Sequence, residues 1–152
     1  MTKARRAIQA QLKAVDIVVE LVDARIPLAS RNPDFDDLFE GKTRITLLNK
    51  ADLADASLTR AWREALAAKG IYALDMIATQ RQTRNAIIQF IDRSMKPELE
   101  RLKAQKGIHK TVRALICGIP NVGKSALINS MSGGTSAKTG NKPGVTRGTQ
   151  LI

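Results

Sequence analysis

Apolar positions along the chain follow two patterns that alternate with each other. Residues 16–24 (DIVVELVDA), 44–50 (RITLLNK), 71–77 (IYALDMI) and 112–118 (VRALICG) are short, nearly continuous apolar runs. Runs of that length and β-branched content suit strands buried on both faces of a parallel sheet. Elsewhere apolar residues recur every three or four positions, the period of a helix. Residues 3–14 lead into Ile8, Leu12 and Val15 at that spacing, and 84–95 (RNAIIQFIDRSM) form a further helix. In 57–70 Leu58, Trp62 and Leu66 share a face, with Ser57 expected as the cap and Gly70 as the terminator. Trp62 is therefore expected in the core and not in a binding site. Alternating strands and helices predict an α/β fold, a mostly parallel sheet with helices on both faces.

Two stretches break the alternation. Residues 96–111 (KPELERLKAQKGIHKT) are polar and basic, and read as an exposed connecting helix that includes the lone histidine, His109. Residues 132–150 are rich in Gly, Ser, Thr and Asn and read as a mobile loop. No internal repeat is present.

Composition narrows the class. A length of 152 residues suits one domain with a real core. No apolar stretch approaches the roughly 18 residues of a membrane span, and no apolar signal core follows the basic start. Cys117 is alone, which excludes an internal disulfide or a multi-thiolate metal site. A cytoplasmic location is expected. The 25 Lys and Arg against 14 Asp and Glu give a net charge of +11, which favours a polyanionic partner. With three Phe, one Tyr and one Trp there is little to stack bases on. Structured RNA contacted through its phosphates fits better than single strands, and DNA is not expected. A basic surface without a specific partner is the plainer alternative.

Residues 118–125 (GIPNVGKS) satisfy G-x-x-x-x-G-K-[ST] between a buried strand and an apolar-periodic helix that runs to about Met131. Gly118 and Gly123 let the backbone turn N–H groups toward phosphate oxygens, and the helix beginning near Lys124 adds its positive end. Lys124 is expected to reach the β- and γ-phosphates and Ser125 to hold Mg²⁺. Asn121, Val122 and Ala126 complete the candidate loop. A glycine-rich turn without a ligand is the structural alternative.

Asn49-Lys50-Ala51-Asp52 ends the second buried strand. Open α/β sheets place ligand loops at such ends. Asp52 can accept hydrogen bonds from the N1–H and N2 amine of guanine, whereas adenine offers neither donor and would leave the carboxylate unpaired. Asn49 can reach the base edge and nearby backbone, and Lys50 can lay its aliphatic stem along the ring. A plain strand-to-helix turn is the alternative for this motif taken alone.

A guanine-reading loop ordinarily follows a phosphate loop; here it precedes it. In a parallel sheet the strand ends share one edge, so joining old termini and opening the chain elsewhere keeps the site. The order predicts a circularly permuted P-loop GTPase domain. Residues 1–92 would be its base-recognition half, 93–111 a basic connector at the join, and 112–152 the phosphate loop and switch. Carrying the known sheet order of such GTPase domains onto the rewired chain places 112–118 beside 16–22, with 44–50 and then 71–77 continuing the sheet, all four parallel.

With KARRAI, ELVDARIPLASRNP, LLNKADL, GIPNVGKSALIN and AKTGNKPGVT in that order, the sequence resembles the circularly permuted ribosome-assembly GTPases over practically its whole length. The resemblance implies GTP hydrolysis to GDP with Mg²⁺ during maturation of the large ribosomal subunit, with rRNA as the polyanion. It also implies that Asn121 helps hold K⁺ beside the phosphates, and that Thr146 completes the Mg²⁺ shell as the switch threonine. Lys124, Asn121 and Thr146 would thus act in catalysis. Ile77 and Ala78 stand where the family supports the guanine O6, although Arg81 and Thr83 replace glycines usual farther on. DARIP (23–27) is a family signature to which no chemistry attaches from sequence, and a structural turn is the expected role. The D-x-x-G loop and the family's C-terminal helical domain are expected beyond Ile152, and its N-terminal histidine before Met1. A permuted GTPase acting on the small subunit, and a non-hydrolysing RNA-binding scaffold, are the rival readings.

Overall fold

The computed structural model describes residues 2–107, 112–119, 122–131 and 148–151. Helix α1 (Thr2–Leu12) leads into strand β1 (Ile17–Asp23), followed by the short helix α2 (Asp34–Leu38), strand β2 (Thr43–Asn49) and a 3₁₀ turn (Ala51–Leu53). Helix α3 (Ala56–Ala68), strand β3 (Tyr72–Asp75), helix α4 (Thr83–Lys106), strand β4 (Arg113–Cys117), helix α5 (Lys124–Met131) and strand β5 (Gly148–Leu151) complete it. The sheet order is β3-β2-β1-β4-β5. The first four strands pair in parallel, and β5 pairs antiparallel on the far side of β4. This is the order that the permuted reading requires, and β1, buried at every position, lies at the centre.

The period of two along β1 divides the core. Ile17, Val19 and Leu21 face the apolar stripe of α4 (Ile87, Ile91, Met95) and Leu127 and Ile128 of α5. Val18 faces Phe35 and Phe39, and Val22 joins Leu48 and Trp62 of α3. Helices thus cover both faces. The expected place of Trp62 at the core holds, since it packs there half-buried.

Three local expectations need correction. The cap of α3 is Asp55, whose carboxylate accepts the N–H groups of Ser57 (2.8 Å) and Leu58 (3.1 Å). Ser57 lies inside the first turn, because an aspartate two residues earlier already satisfies those amides. Leu58 is exposed, for positions four apart drift by about 40° around a helix and only Leu66 is fully turned inward. Residues 84–95 and the connector up to Lys106 form one helix, α4, which carries Pro97 inside it. The apolar stripe continues past Met95 to Leu99, and Gly107 ends the helix in a left-handed conformation at φ 61°. His109 lies outside the described residues.

Glu20 interrupts the apolar run of β1 and is 1% exposed. Its carboxylate meets Arg44 at 3.2 Å and Arg31 at 3.6 Å, and both arginines also pair with Asp36. Arg44 lies over the Phe39 ring at 5.9 Å. Burial pushes the Glu20 carboxyl above its usual range, and the two arginines pull it back. Arg44→Ala should therefore cost about 2–4 kcal/mol in urea unfolding, by leaving a buried carboxylate under-compensated. Glu20 would then favour its protonated form in the folded state still more. A group raised on folding contributes stability at low pH that is lost as pH rises, so the deficit should shrink toward acid pH. A deficit independent of pH would count against Glu20 as its source.

Candidate functional site

Because β1 to β4 are parallel, the loops that follow them gather at one edge. Asn49 joins three of these loops. It is 3% exposed; its Nδ2 donates to the Val122 carbonyl at 2.8 Å, and its Oδ1 accepts the Ala78 N–H at 2.9 Å. The backbone reinforces the link, with Met76 N–H donating to Leu48 (2.9 Å) and Ala51 N–H to Met76 (3.2 Å). The Thr83 hydroxyl donates to the Ile77 carbonyl at 2.6 Å, which folds the third-strand loop against the start of α4. Residues 73 positions apart in sequence are thus hydrogen-bonded at the heart of the site.

The candidate phosphate loop is packed too tightly for side chains at its glycines. A Cβ on Gly118 would lie 2.7 Å from the Leu21 carbonyl oxygen of β1. Gly123 has φ +100°, and a Cβ there would overlap Asn49 Nδ2. Val122 is buried against the core, Lys124 is 8% exposed at the start of α5, Ser125 is half-buried and Ala126 is exposed. The Leu127 N–H donates to the Gly123 carbonyl at 3.0 Å, so the helix begins directly at the loop. Among the described residues no cluster of three or more His, Cys, Asp or Glu could cage a metal. The donor at hand for a cation is the Ser125 hydroxyl, which suits Mg²⁺, an ion that takes most of its shell from phosphates and water. Asn121 and Thr146 lie outside the described residues.

In the base-reading loop Asp52 is exposed on the 3₁₀ turn, free of the core and facing solvent. Lys50 adopts the left-handed conformation at φ 59°, uncommon for a residue with a side chain. The Ala78 N–H is taken by Asn49, so Ala78 serves to brace the loops.

The DARIP stretch is indeed a turn, and it carries charges that the sequence did not explain. The Ser30 hydroxyl accepts the Asp23 N–H and donates to the Ile26 carbonyl, both at 2.8 Å, closing the loop after β1. The buried Asp23 carboxylate accepts from Arg25 N–H (2.9 Å), Nε (3.0 Å) and Nη2 (2.7 Å). Hydrogen bonding from Arg25 holds the Asp23 carboxyl below its usual range despite burial. Lys50 Nζ stands 3.8 Å from the same carboxylate. The alternation of charged and apolar residues in LVDARIP was the available signal, but nothing in it pointed to Lys50.

A second concavity, of about 530 Å³, lies between the N-terminal ends of β2 and β3, away from these loops. Its arginines, Arg31 and Arg44, are already paired with Glu20 and Asp36.

A family described as 50S ribosome-binding GTPase matches residues 113–152. Ribosome biogenesis GTPase A of Bacillus licheniformis is 47% identical over 152 residues, covering 100% of this chain and 54% of that protein. Mouse mitochondrial ribosome-associated GTPase 1 is 35% identical, covering 97% of this chain and 46% of its own length. Among solved structures, GNP-bound YlqF from Thermotoga maritima superposes with a TM-score of 0.63 at 32% identity, over 90% of this chain and 50% of that one. The chain spans about half the length of the curated relatives it matches.

Proposed function

We propose that this chain, a member of the circularly permuted ribosome-assembly GTPases, forms the guanine-reading and phosphate-gripping part of an enzyme that hydrolyses GTP during assembly of the large ribosomal subunit. The observation that carries this reading is the Asn49 side chain, bonded at once to the phosphate-loop residue Val122 and to Ala78. A guanine-type loop and a phosphate loop thereby share one site in permuted order.

In this reading Asp52 accepts from the guanine edge, and Lys50 lays its stem along the ring. The amides between Gly118 and Lys124, with the start of α5, hold the phosphates. Lys124 draws charge off the β- and γ-phosphates, and Ser125 with Thr146 holds Mg²⁺, which when bound neutralises charge there. Asn121 is assigned to K⁺ on the family's pattern, and exchanging K⁺ for Na⁺ in a hydrolysis assay tests it: an unchanged rate would remove that role. Catalysis of this kind rests on positioning and electrostatics, and no general base is assigned. The net charge of +11 supports rRNA as partner. No helix among the described residues is long and apolar enough to cross a membrane, in keeping with the cytoplasmic site of action that forms part of the proposal.

The test uses the full-length protein. It should bind GDP and GTP well ahead of ADP and ATP, and Asp52→Asn should reduce the preference by about tenfold, the effect of one mispaired polar group. Isolated large subunits should stimulate multiple-turnover GTP hydrolysis more than small subunits do. Equal binding of ADP and GDP by the unaltered protein would end the guanine reading. Stimulation by small subunits alone would reassign the partner, and an absence of turnover would leave an RNA-binding scaffold.

A further inference from the structure

The loop after β1 reaches the base-reading loop through one buried carboxylate. Asp23 ends β1 in register with Asn49 at the end of β2, and the Ala24 N–H donates to the Asn49 carbonyl at 2.7 Å. The Asp23 side chain is 7% exposed, yet two cations flank it: Arg25, bidentate, and Lys50 at 3.8 Å. Arg25 is stabilised in its charged form by Asp23 first and, less strongly, by Asp52. The two loops thus carry charges in alternation, in the order Lys50, Asp23, Arg25, Asp52.

Lysine is a flexible side chain, and its rotamer freedom opposes holding it in one place. A stem that is to lie along a base gains from a fixed counter-charge for its ammonium before the ligand arrives. Arg25 holds the Asp23 carboxylate by three hydrogen bonds, so the anchor itself cannot turn away. We propose that Asp23 is a positioning residue for guanine nucleotide binding, holding Lys50 in place, with Arg25 as the clamp that fixes Asp23. The inference rests on the guanine-site reading and adds to it a role for the DARIP turn.

The experiment is a double-mutant cycle on the full-length protein, read by titration with a ribose-labelled fluorescent GDP. Asp23→Asn and Lys50→Ala should each weaken binding by about tenfold, and the double variant by no more than about twofold beyond Lys50→Ala alone, as coupled neighbours do. Lys50→Gln keeps most of the stem and leaves the buried Asp23–Arg25 pair untouched, so it provides a variant with little risk of misfolding. It should bind GDP as weakly as Lys50→Ala. Full affinity in Lys50→Gln, or losses that multiply in the double variant, would overturn the inference and leave Asp23 a purely structural residue. The unaltered protein is compared with labelled ADP in parallel. Lack of preference there would fell the guanine reading itself, whereas preference with an unaffected Asp23→Asn would fell only this inference.

Discussion

Replacing Asn49 with alanine should weaken GDP binding by about a hundredfold and lower the unfolding free energy by about 2–4 kcal/mol. The change removes no charge and little apolar area. It leaves the Ala78 N–H and the Val122 carbonyl without their partner, and both residues are 3% exposed. A buried unpaired group costs about 1–3 kcal/mol, and two are created at once. The larger consequence is geometric. Three loops that approach from different strands lose their common fastening, so the phosphate and base contacts no longer hold a fixed distance, and misplacement of about 1 Å is already costly. Asn49→Asp discriminates further. A carboxylate can still accept from Ala78 but can only repel the Val122 carbonyl, so it should behave nearly as badly as alanine. GDP titration and urea unfolding check both variants; losses below about threefold would show that the loops keep their register without the side chain.

Much of this architecture was legible because the two signals that specify it are local. Continuous apolar runs identified all four parallel strands, and two loop motifs fixed which ends must share an edge. Placing β4 beside β1, a pairing between residues nearly a hundred positions apart, further needed the sheet order of the family that the motifs resemble. The helix boundaries were less legible. Asp55 starts α3 two residues before the Ser57 that its motif suggested, and the polar, basic composition of 96–111 hid the stripe from Met95 to Leu99 that joins it to the helix before it. Short α2 carries too few residues for its period to show.

Charged groups inside the fold were illegible for a different reason. Glu20 sits within a run that reads as apolar, and its partners Arg31 and Arg44 lie on a loop and on the neighbouring strand. Asp23 is a neighbour of Arg25 in sequence, but its approach to Lys50 depends on the register of β1 against β2. Such partners are fixed by pairing of strands and leave no mark at either position alone. Asn49 shows the same limit from the other side. Its motif suggested contacts to the base edge and to nearby backbone; the backbone contacts are present, but which loops they join depends on the fold.

Gly123→Ala should reproduce most of the Asn49→Ala defect while leaving Asn49 in place. Two terms add. At φ +100° a side chain is strained by about 1–3 kcal/mol whatever surrounds it. A methyl there would also overlap Asn49 Nδ2, whose position is fixed by its bond to Val122. Asn49 must then swing away, and the loops separate as they do when it is removed. Gly107 supplies the control. It too has a positive φ, +61°, but a Cβ there meets nothing within 4 Å, so Gly107→Ala should cost only the backbone term, about 1 kcal/mol, with GDP affinity unchanged. The excess of Gly123→Ala over Gly107→Ala, about 2 kcal/mol or more, combines the stronger strain at φ +100° with the overlap with Asn49, and the Asn49→Ala background separates the two. Adding Gly123→Ala to Asn49→Ala should therefore cost no more than the backbone strain, since the group it collides with is gone. Full additivity of the two changes, in unfolding and in GDP affinity alike, would show that the glycine serves backbone conformation alone, and that Asn49 is free to move aside.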